Sequence, residues 1–334
     1  MADSQTSSKV VTPSLELLLS DIIDYAGTFP PAVLSLDTAV ELYCAYLGWG
    51  EAWMLGRFVC LPAHLGAFDE YHDLFEKNAP FRVSVLVGDG RPANTFFEYL
   101  ERHLDAIDAF RERHRESVYV ETLEMSLPGD LLSTDVITID RFARDVDALL
   151  RRHNLQHVDF FLEVTLDENV RQTLPMVAGA VSAFNREQKR DGPGRAGIKM
   201  RTGGTVAEAF PSPQSVAFVI STCCAAGVRF KATAGLHHPL RHYRASIGTS
   251  MHGFLNVFAA SVFASVNSAD EDQLVAILTD EAPSSFSFTD DALIWQGKRA
   301  GTESIARVRR DLAVSFGSCS FEEPVQDLRQ LGLI

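Results

Sequence analysis

The chain has 334 residues, of which 46% are hydrophobic and 22% charged, an ordinary globular composition long enough for one large α/β barrel or two small domains. A formal net charge of −14 argues against a nucleic-acid partner or an anionic membrane surface, which would want a basic face, but leaves room for a local basic pocket. Five cysteines, an odd number without CxxC spacing, argue against a disulfide framework or a zinc ribbon, and no apolar run reaches the length of a membrane span.

Residues 1–13 are polar and lack the apolar stretch of a secretory signal, so the expectation is a disordered tail on a soluble, cytoplasmic protein. From residue 14 to 334 the chain follows a rhythm: an apolar strand-like run, a polar or Gly/Pro break, an amphipathic helix. Strands are expected over 22–26, 53–61, 81–87, 118–125, 158–165, 197–202 and 229–234, with an eighth over 313–321. Helices are expected over 36–46, 68–77, 95–112, 139–153, 169–187, 213–226 and 254–266. Ser35 before the first helix, and Ser212-Pro213 and Gly227 around the sixth, supply start and stop signals. Within an insertion at about 270–300, residues 286–297 alternate like an antiparallel hairpin. Regular alternation of strand and helix means a parallel sheet. Eight such units point to a single-domain (β/α)8 TIM-type barrel, with an open sheet as the competing arrangement. No Gly-rich dinucleotide fingerprint follows the first strand, and no cofactor is expected.

In such a barrel the chemistry sits at the C-terminal ends of the strands, and side-chain parity decides which residues face the axis. On the sixth strand Lys199 and Arg201 share the face opposite Ile198 and Met200; on the seventh, Lys231 and Thr233 share the face opposite Phe230 and Ala232. Both lysines are therefore expected inside, on neighbouring strands. Like charges disfavour ionisation, so each lysine is expected to lower the pKa of the other and prepare an amine for attack on a carbonyl. The alternative is a pair of salt-bridged or anion-binding lysines. By the same parity Glu163 points inward with Phe161, as a proton shuttle or as the counter-ion of Lys199. Arg57 is an inward cation suited to a carboxylate or phosphate on the ligand, or to a structural carboxylate. Glu121 and Glu124 differ in parity, so only one is expected to point inward. Asp24 and Tyr25 end the first strand beside the expected substrate; Tyr25 either donates a hydrogen bond to a developing alkoxide or caps the mouth.

The segment Lys199-Met200-Arg201-Thr202-Gly203 resembles the sixth-strand segment of deoxyribose-phosphate aldolase and its class I aldolase relatives. Lys231-Ala232-Thr233-Ala234-Gly235-Leu236 is similar to the seventh-strand segment of that family. The resemblance implies a Schiff-base lyase in which Lys199 is the nucleophile and Lys231 perturbs its pKa. Arg201 stands where the family carries a small hydroxyl residue, and His237-His238-Pro239 replaces the family's phosphate-site sequence. The Asp-Tyr-Ala-Gly, Lys-Met-Arg-Thr-Gly-Gly and His-His-Pro strings also resemble a group of uncharacterised bacterial proteins, which implies no activity.

His237, His238, His242 and His252 carry no HxH or HExxH pattern, so no metal is expected; His237 is placed in acid–base chemistry and His238 beside the substrate. Thr202-Gly203-Gly204, and Ser318 within Phe316-Gly317-Ser318-Cys319-Ser320, have the composition of anion-binding turns at strand ends, or of turns alone. Cys319 is read as a buried thiol rather than a nucleophile.

The leading expectation is a lyase or aldolase-like enzyme acting on a small carbonyl or sugar-type anionic substrate through a lysine Schiff base. A second is a non-covalent or metal-assisted isomerase or hydrolase. There Lys199, Arg201, Lys231 and Arg57 hold an anion while Glu163 and His237 exchange protons. A third is a non-catalytic binder of the same ligand class. Exposed apolar helix surface is compatible with a homo-oligomer.

Overall fold

The computed structural model describes residues 11–78, 80–88, 90–132, 134–188, 194–266 and 269–334. Residues 1–10 of the expected tail lie outside the described residues, and a first helix, α1 (Pro13–Leu19), begins at Pro13. Seven strands follow in alternation with helices: β1 (Ile23–Tyr25), β2 (Leu55–Cys60), β3 (Phe81–Gly88), β4 (Val118–Ser126), β5 (Asp159–Val164), β6 (Ala196–Arg201) and β7 (Arg229–Thr233). Two short antiparallel strands, β8 (His242–Arg244) and β9 (Thr249–Met251), form a hairpin after β7. The insertion carries a three-stranded antiparallel sheet, β10 (Phe286–Phe288), β11 (Ala292–Trp295) and β12 (Lys298–Gly301), packed against α1, α8 (Phe254–Val266) and α10 (Thr302–Asp311). The last barrel strand is β13 (Ala313–Ser318).

The eight long-range strands pair in parallel and close the ring β1-β2-β3-β4-β5-β6-β7-β13, so the barrel expectation holds and the open sheet is excluded. The outer layer includes α2 (Leu36–Tyr46), α3 (His72–Lys77), α4 (Ala93–His114), α5 (Val136–Arg152), α6 (Val170–Glu187), α7 (Pro213–Ala226), α8, α10 and α11 (Glu322–Gln330), with α9 (Glu271–Thr279) packed on α7 and α8. The start and stop signals work as read. Ser35 and Ser212 accept hydrogen bonds from the backbone N–H groups of Thr38 and Ser215, and Gly227 ends α7 at φ +64°, the left-handed region where glycine carries no Cβ penalty.

Strand alternation divides the barrel into two environments. Phe58, Phe81, Val83, Val85, Phe160, Leu162, Ile198, Met200, Phe230 and Phe316 are buried under the helices and make the apolar core. The inward positions are largely polar, where a barrel of this type ordinarily stacks branched aliphatic side chains. Among the described residues no helix is long and apolar enough to cross a membrane.

Candidate active site

The axis of the barrel carries a string of alternating charges. From the N-terminal end it runs Asp21, Arg82, Glu121, Arg57, Asp24, Lys231, Glu124, Lys199, Glu163, Arg201, and each neighbour in this order is an ion pair. Register puts the two lysines opposite each other on β6 and β7. Glu124 bridges them: its Oε1 lies 2.5 Å from Lys231 Nζ and its Oε2 lies 2.9 Å from Lys199 Nζ. Asp24 Oδ2 takes the other side of Lys231 at 2.7 Å, and Glu163 Oε2 takes the other side of Lys199 at 2.9 Å. Ser84 donates to Glu124 Oε1 at 2.6 Å and Ser315 to Asp24 Oδ2 at 2.6 Å, so the buried carboxylates have hydroxyl donors as well as cations.

Both Glu121 and Glu124 belong to this string, against the expectation that only one faces inward. The pairing of β3 with β4 explains it. Val83 stands opposite Val120 and Ser84 opposite Thr122, so Glu121 is an extra residue that resets the alternation. Upstream of the bulge Glu121 meets Arg57 and Arg82 near the N-terminal end; downstream Glu124 meets the lysines.

The electrostatics differ from the sequence expectation for Lys199. Burial lowers its pKa, but Glu124 and then Glu163 outweigh burial and hold it above the ordinary lysine value. Glu124 lies between the two amines, and the attraction of the carboxylates sets the net direction of the shift. Burial pushes Glu124 and Asp24 upward, and their cations reverse this and hold both below the usual carboxylate range.

Above the string, a cavity of about 550 Å³ opens at the C-terminal mouth. Lys199 and Glu124 reach it from the strands; Arg201, Thr233, Gly204 and His237 follow at the ends of β6 and β7. The β8–β9 hairpin adds Arg244, Ile247 and Met251, and the loop after β1 adds Phe29 and two prolines. His237 Nδ1 lies 3.0 Å from Glu323 at the start of α11, and this contact holds Glu323 below its ordinary pKa. Cys319 lines the cavity as a thiol whose pKa burial raises.

Several expected contact residues stand elsewhere. Lys231 is 2% exposed and lies beneath Glu124, outside the cavity wall. Arg57 and Asp24 sit deeper still. Arg57 donates to Glu121 at 2.9 Å and reaches Asp24 at 3.4 Å, so its charge is taken up by structural carboxylates. Tyr25 points to the helix side, against Tyr43 and Tyr46 of α2, because Asp24 takes the inward position of β1. Thr202 Oγ1 donates to the carbonyls of Thr233 and Ala234, tying the ends of β6 and β7 together. Gly203 faces Gly235, and a Cβ on it would lie 2.9 Å from the Gly235 Cα. Ser318 closes a local turn on Ser320. His238 is paired with Asp327, His242 lies over the His238 ring, and buried His252 contacts the Pro211 carbonyl at 2.8 Å. Burial lowers the His252 pKa to about 4. Among the described residues there is no group of three or more potential metal-ligating side chains.

Sequence reasoning left out Ser84, Arg82, Ser315 and Arg244. The first three were readable as polar positions out of phase with Val83, Val85 and Phe316; Arg244 lies on a three-residue strand, too short for a periodic signal.

No protein-family model matches the chain, and neither does any curated protein. Among solved structures, the chain is similar to a tetrameric deoxyribose phosphate aldolase from Aeropyrum pernix, at 11% identity and a TM-score of 0.49, over 96% of this chain and 97% of that one. It also aligns with a GH138 enzyme targeting pectin rhamnogalacturonan II, at 8% identity and a TM-score of 0.28, over 87% of this chain and 48% of that one. The barrel itself rests on the strand order described above.

Proposed function

We propose that the protein is a Schiff-base lyase acting on an anionic carbonyl compound, with Lys199 as the nucleophile. One observation carries this reading: Lys199 lies at the floor of the mouth cavity with a carboxylate 2.9 Å away on each side. The ammonium gives a proton to Glu124 or Glu163, and the free amine adds to the carbonyl carbon. The carbinolamine loses water to give an iminium ion. The C–C bond to the hydroxyl-bearing carbon then breaks; its electron pair moves into the iminium as an enamine, and the hydroxyl proton passes to a carboxylate. Protonation of the enamine and addition of water release the second product and restore the amine. Lys231 holds Glu124 in place from below, and Arg201 supplies positive charge for the substrate anion.

Borohydride reduction in the presence of a panel of aldehydes, ketones and oxo acids, followed by peptide mass analysis, tests the proposal. A reduced adduct on Lys199 is expected; no adduct on any lysine across the panel overturns it.

The raised pKa of Lys199 favours a second reading, in which it stays an ammonium that fixes an anion while Glu163 and His237 move protons. Lys199→Arg separates the two, since a guanidinium keeps the charge but forms no imine. Turnover within about tenfold of wild type supports the non-covalent reading, and a loss of about 10²-fold or more supports the imine. A homo-oligomer belongs to the same proposal, and the exposed Val136 and Ile137 at the start of α5 are apolar surface available to it.

A further inference from the structure

The walls of the mouth cavity divide by position around the ring. Ring order places β1, β2 and β3 side by side, and this arc contributes only apolar surface: Phe29 and its prolines after β1, Val59 on β2 and Leu86 on β3. The arc of β6 and β7 contributes Lys199, Arg201 and His237. The hairpin after β7 then brings Arg244, and places Ile247 and Met251 against the cavity as well.

Two of these cations are not neutralised as the interior ones are. Arg201 reaches Glu163 only at 3.7 Å, and its side chain is 55% exposed. Among the described residues the Arg244 guanidinium makes one hydrogen bond, 3.4 Å to Ser246 Oγ, and has no carboxylate within ion-pairing distance. On a chain of net charge −14 these two guanidiniums are a local exception that favours an anion. A polyhydroxylated substrate would need hydrogen-bonding groups all round it, because a hydroxyl buried against Val59 and Leu86 without a partner is penalised.

Resting on the reading of Lys199 as the reacting amine, we propose that the ligand is a two-ended molecule. It carries a carboxylate or comparable anion toward Arg201 and Arg244, a carbonyl over Lys199, and an aromatic or branched aliphatic arm against the β1–β3 wall. A 2-oxo acid with an apolar arm has this chemistry; a sugar phosphate does not.

The test is calorimetric binding to the full chain carrying Lys199→Arg, which forms no imine, so the ligand preference is read apart from the adduct chemistry. The probes are 4-phenyl-2-oxobutanoate, a six-carbon polyhydroxylated 2-oxo acid, and the neutral ketone 4-phenylbutan-2-one. The aryl oxo acid is expected to bind at least about tenfold tighter than the hydroxylated acid, in keeping with the discrimination an apolar pocket provides. Leu86→Asn and the near-isosteric Val59→Thr are each expected to erase most of that preference. Arg244→Gln is expected to weaken the aryl acid by about tenfold while leaving the neutral ketone unchanged, the difference of a charge-assisted contact. Equal or tighter binding of the hydroxylated acid overturns the proposal, as does the absence of binding by all three probes. Borohydride trapping on the unsubstituted protein reports separately on the imine. An aryl preference without an adduct sinks the imine and leaves the ligand class standing; an adduct with hydroxylated acids alone does the reverse.

Discussion

Glu124 is the residue on which the two lysines depend. It is 4% exposed and accepts from Ser84 while contacting both Nζ atoms, so it has few lone pairs to spare for substrate until an amine moves. Glu124→Gln keeps the shape and removes the charge. Lys199 keeps Glu163 and Lys231 keeps Asp24, but each amine loses its shared counter-ion. Removing one partner from a buried ion network costs about 3–5 kcal/mol, which chemical denaturation would register. The same change takes away the largest influence holding the Lys199 pKa up, so borohydride trapping at Lys199 is expected to begin at lower pH. Turnover moves the other way, falling by about 10²–10⁴-fold if the carboxylate transfers protons. A variant with wild-type turnover would remove Glu124 from the chemistry.

The titrations of these groups also set a stability window. Lys199 has a folded pKa above the ordinary 10.5, so its contribution is complete below 10.5 and is lost as pH rises through the higher folded value. Glu124 and Asp24 have folded values below the ordinary 4.5 and 3.8, so their contributions are complete above those values and are lost as pH falls through the lower folded ones. These three groups are therefore expected to contribute a constant amount from about pH 5 to pH 10 and to lose it only in stronger acid or alkali. Denaturation midpoints across that range check this; a transition near neutrality would contradict it.

At the scale of elements, the mouth depends on how closely the turns after β6 and β7 approach. A Cβ at Gly203 would stand 2.5 Å from the Phe210 ring and 2.9 Å from the Gly235 Cα, and Gly235 itself sits at φ +76°. Gly203→Ala therefore has to push the two turns apart, at about 1–3 kcal/mol for overpacking. Since Arg201 and Gly204 flank this point on the cavity wall, trapping at Lys199 should slow as well. Gly66→Ala, with nothing within 4 Å of the added carbon and helical φ, is the control and is expected to leave the thermal midpoint within a degree or two of wild type. Much of this level was legible in the sequence. Apolar alternation placed the strands, and parity placed Lys199, Lys231 and Glu163 inside, because each strand there keeps period two along its length. Parity failed at Glu121, where the bulge is a property of how β4 pairs with β3 rather than of β4 alone. It also gave no choice of partner. Glu124 meets Lys231 across 107 residues of chain, and only barrel closure brings β4 to face β7.

Across the whole molecule, the charged string replaces the aliphatic filling that a barrel axis ordinarily holds. Its five cations and five carboxylates balance, and the alternation gives every charge a neighbour of the opposite sign. Lys231→Met breaks that balance, stranding Asp24 and Glu124 with one net negative charge in the interior, at about 3–5 kcal/mol. Adding Asp24→Asn removes the neighbouring charge and leaves two segments, Asp21 to Arg57 and Glu124 to Arg201, each balanced. The double variant should therefore be less destabilised than the sum of its two single variants, with a coupling of about 1–3 kcal/mol. The exposed pair Arg171–Glu271 provides the comparison, with an expected coupling of about 0.2–1 kcal/mol. Salt sharpens the contrast. At 1 M the screening length is about 3 Å, which should erase the coupling of the exposed pair while leaving the interior one largely intact, since water and ions do not reach it. Equal couplings, or an interior coupling that salt removes, would mean that the axis is hydrated and that its charges are held by solvent rather than by one another.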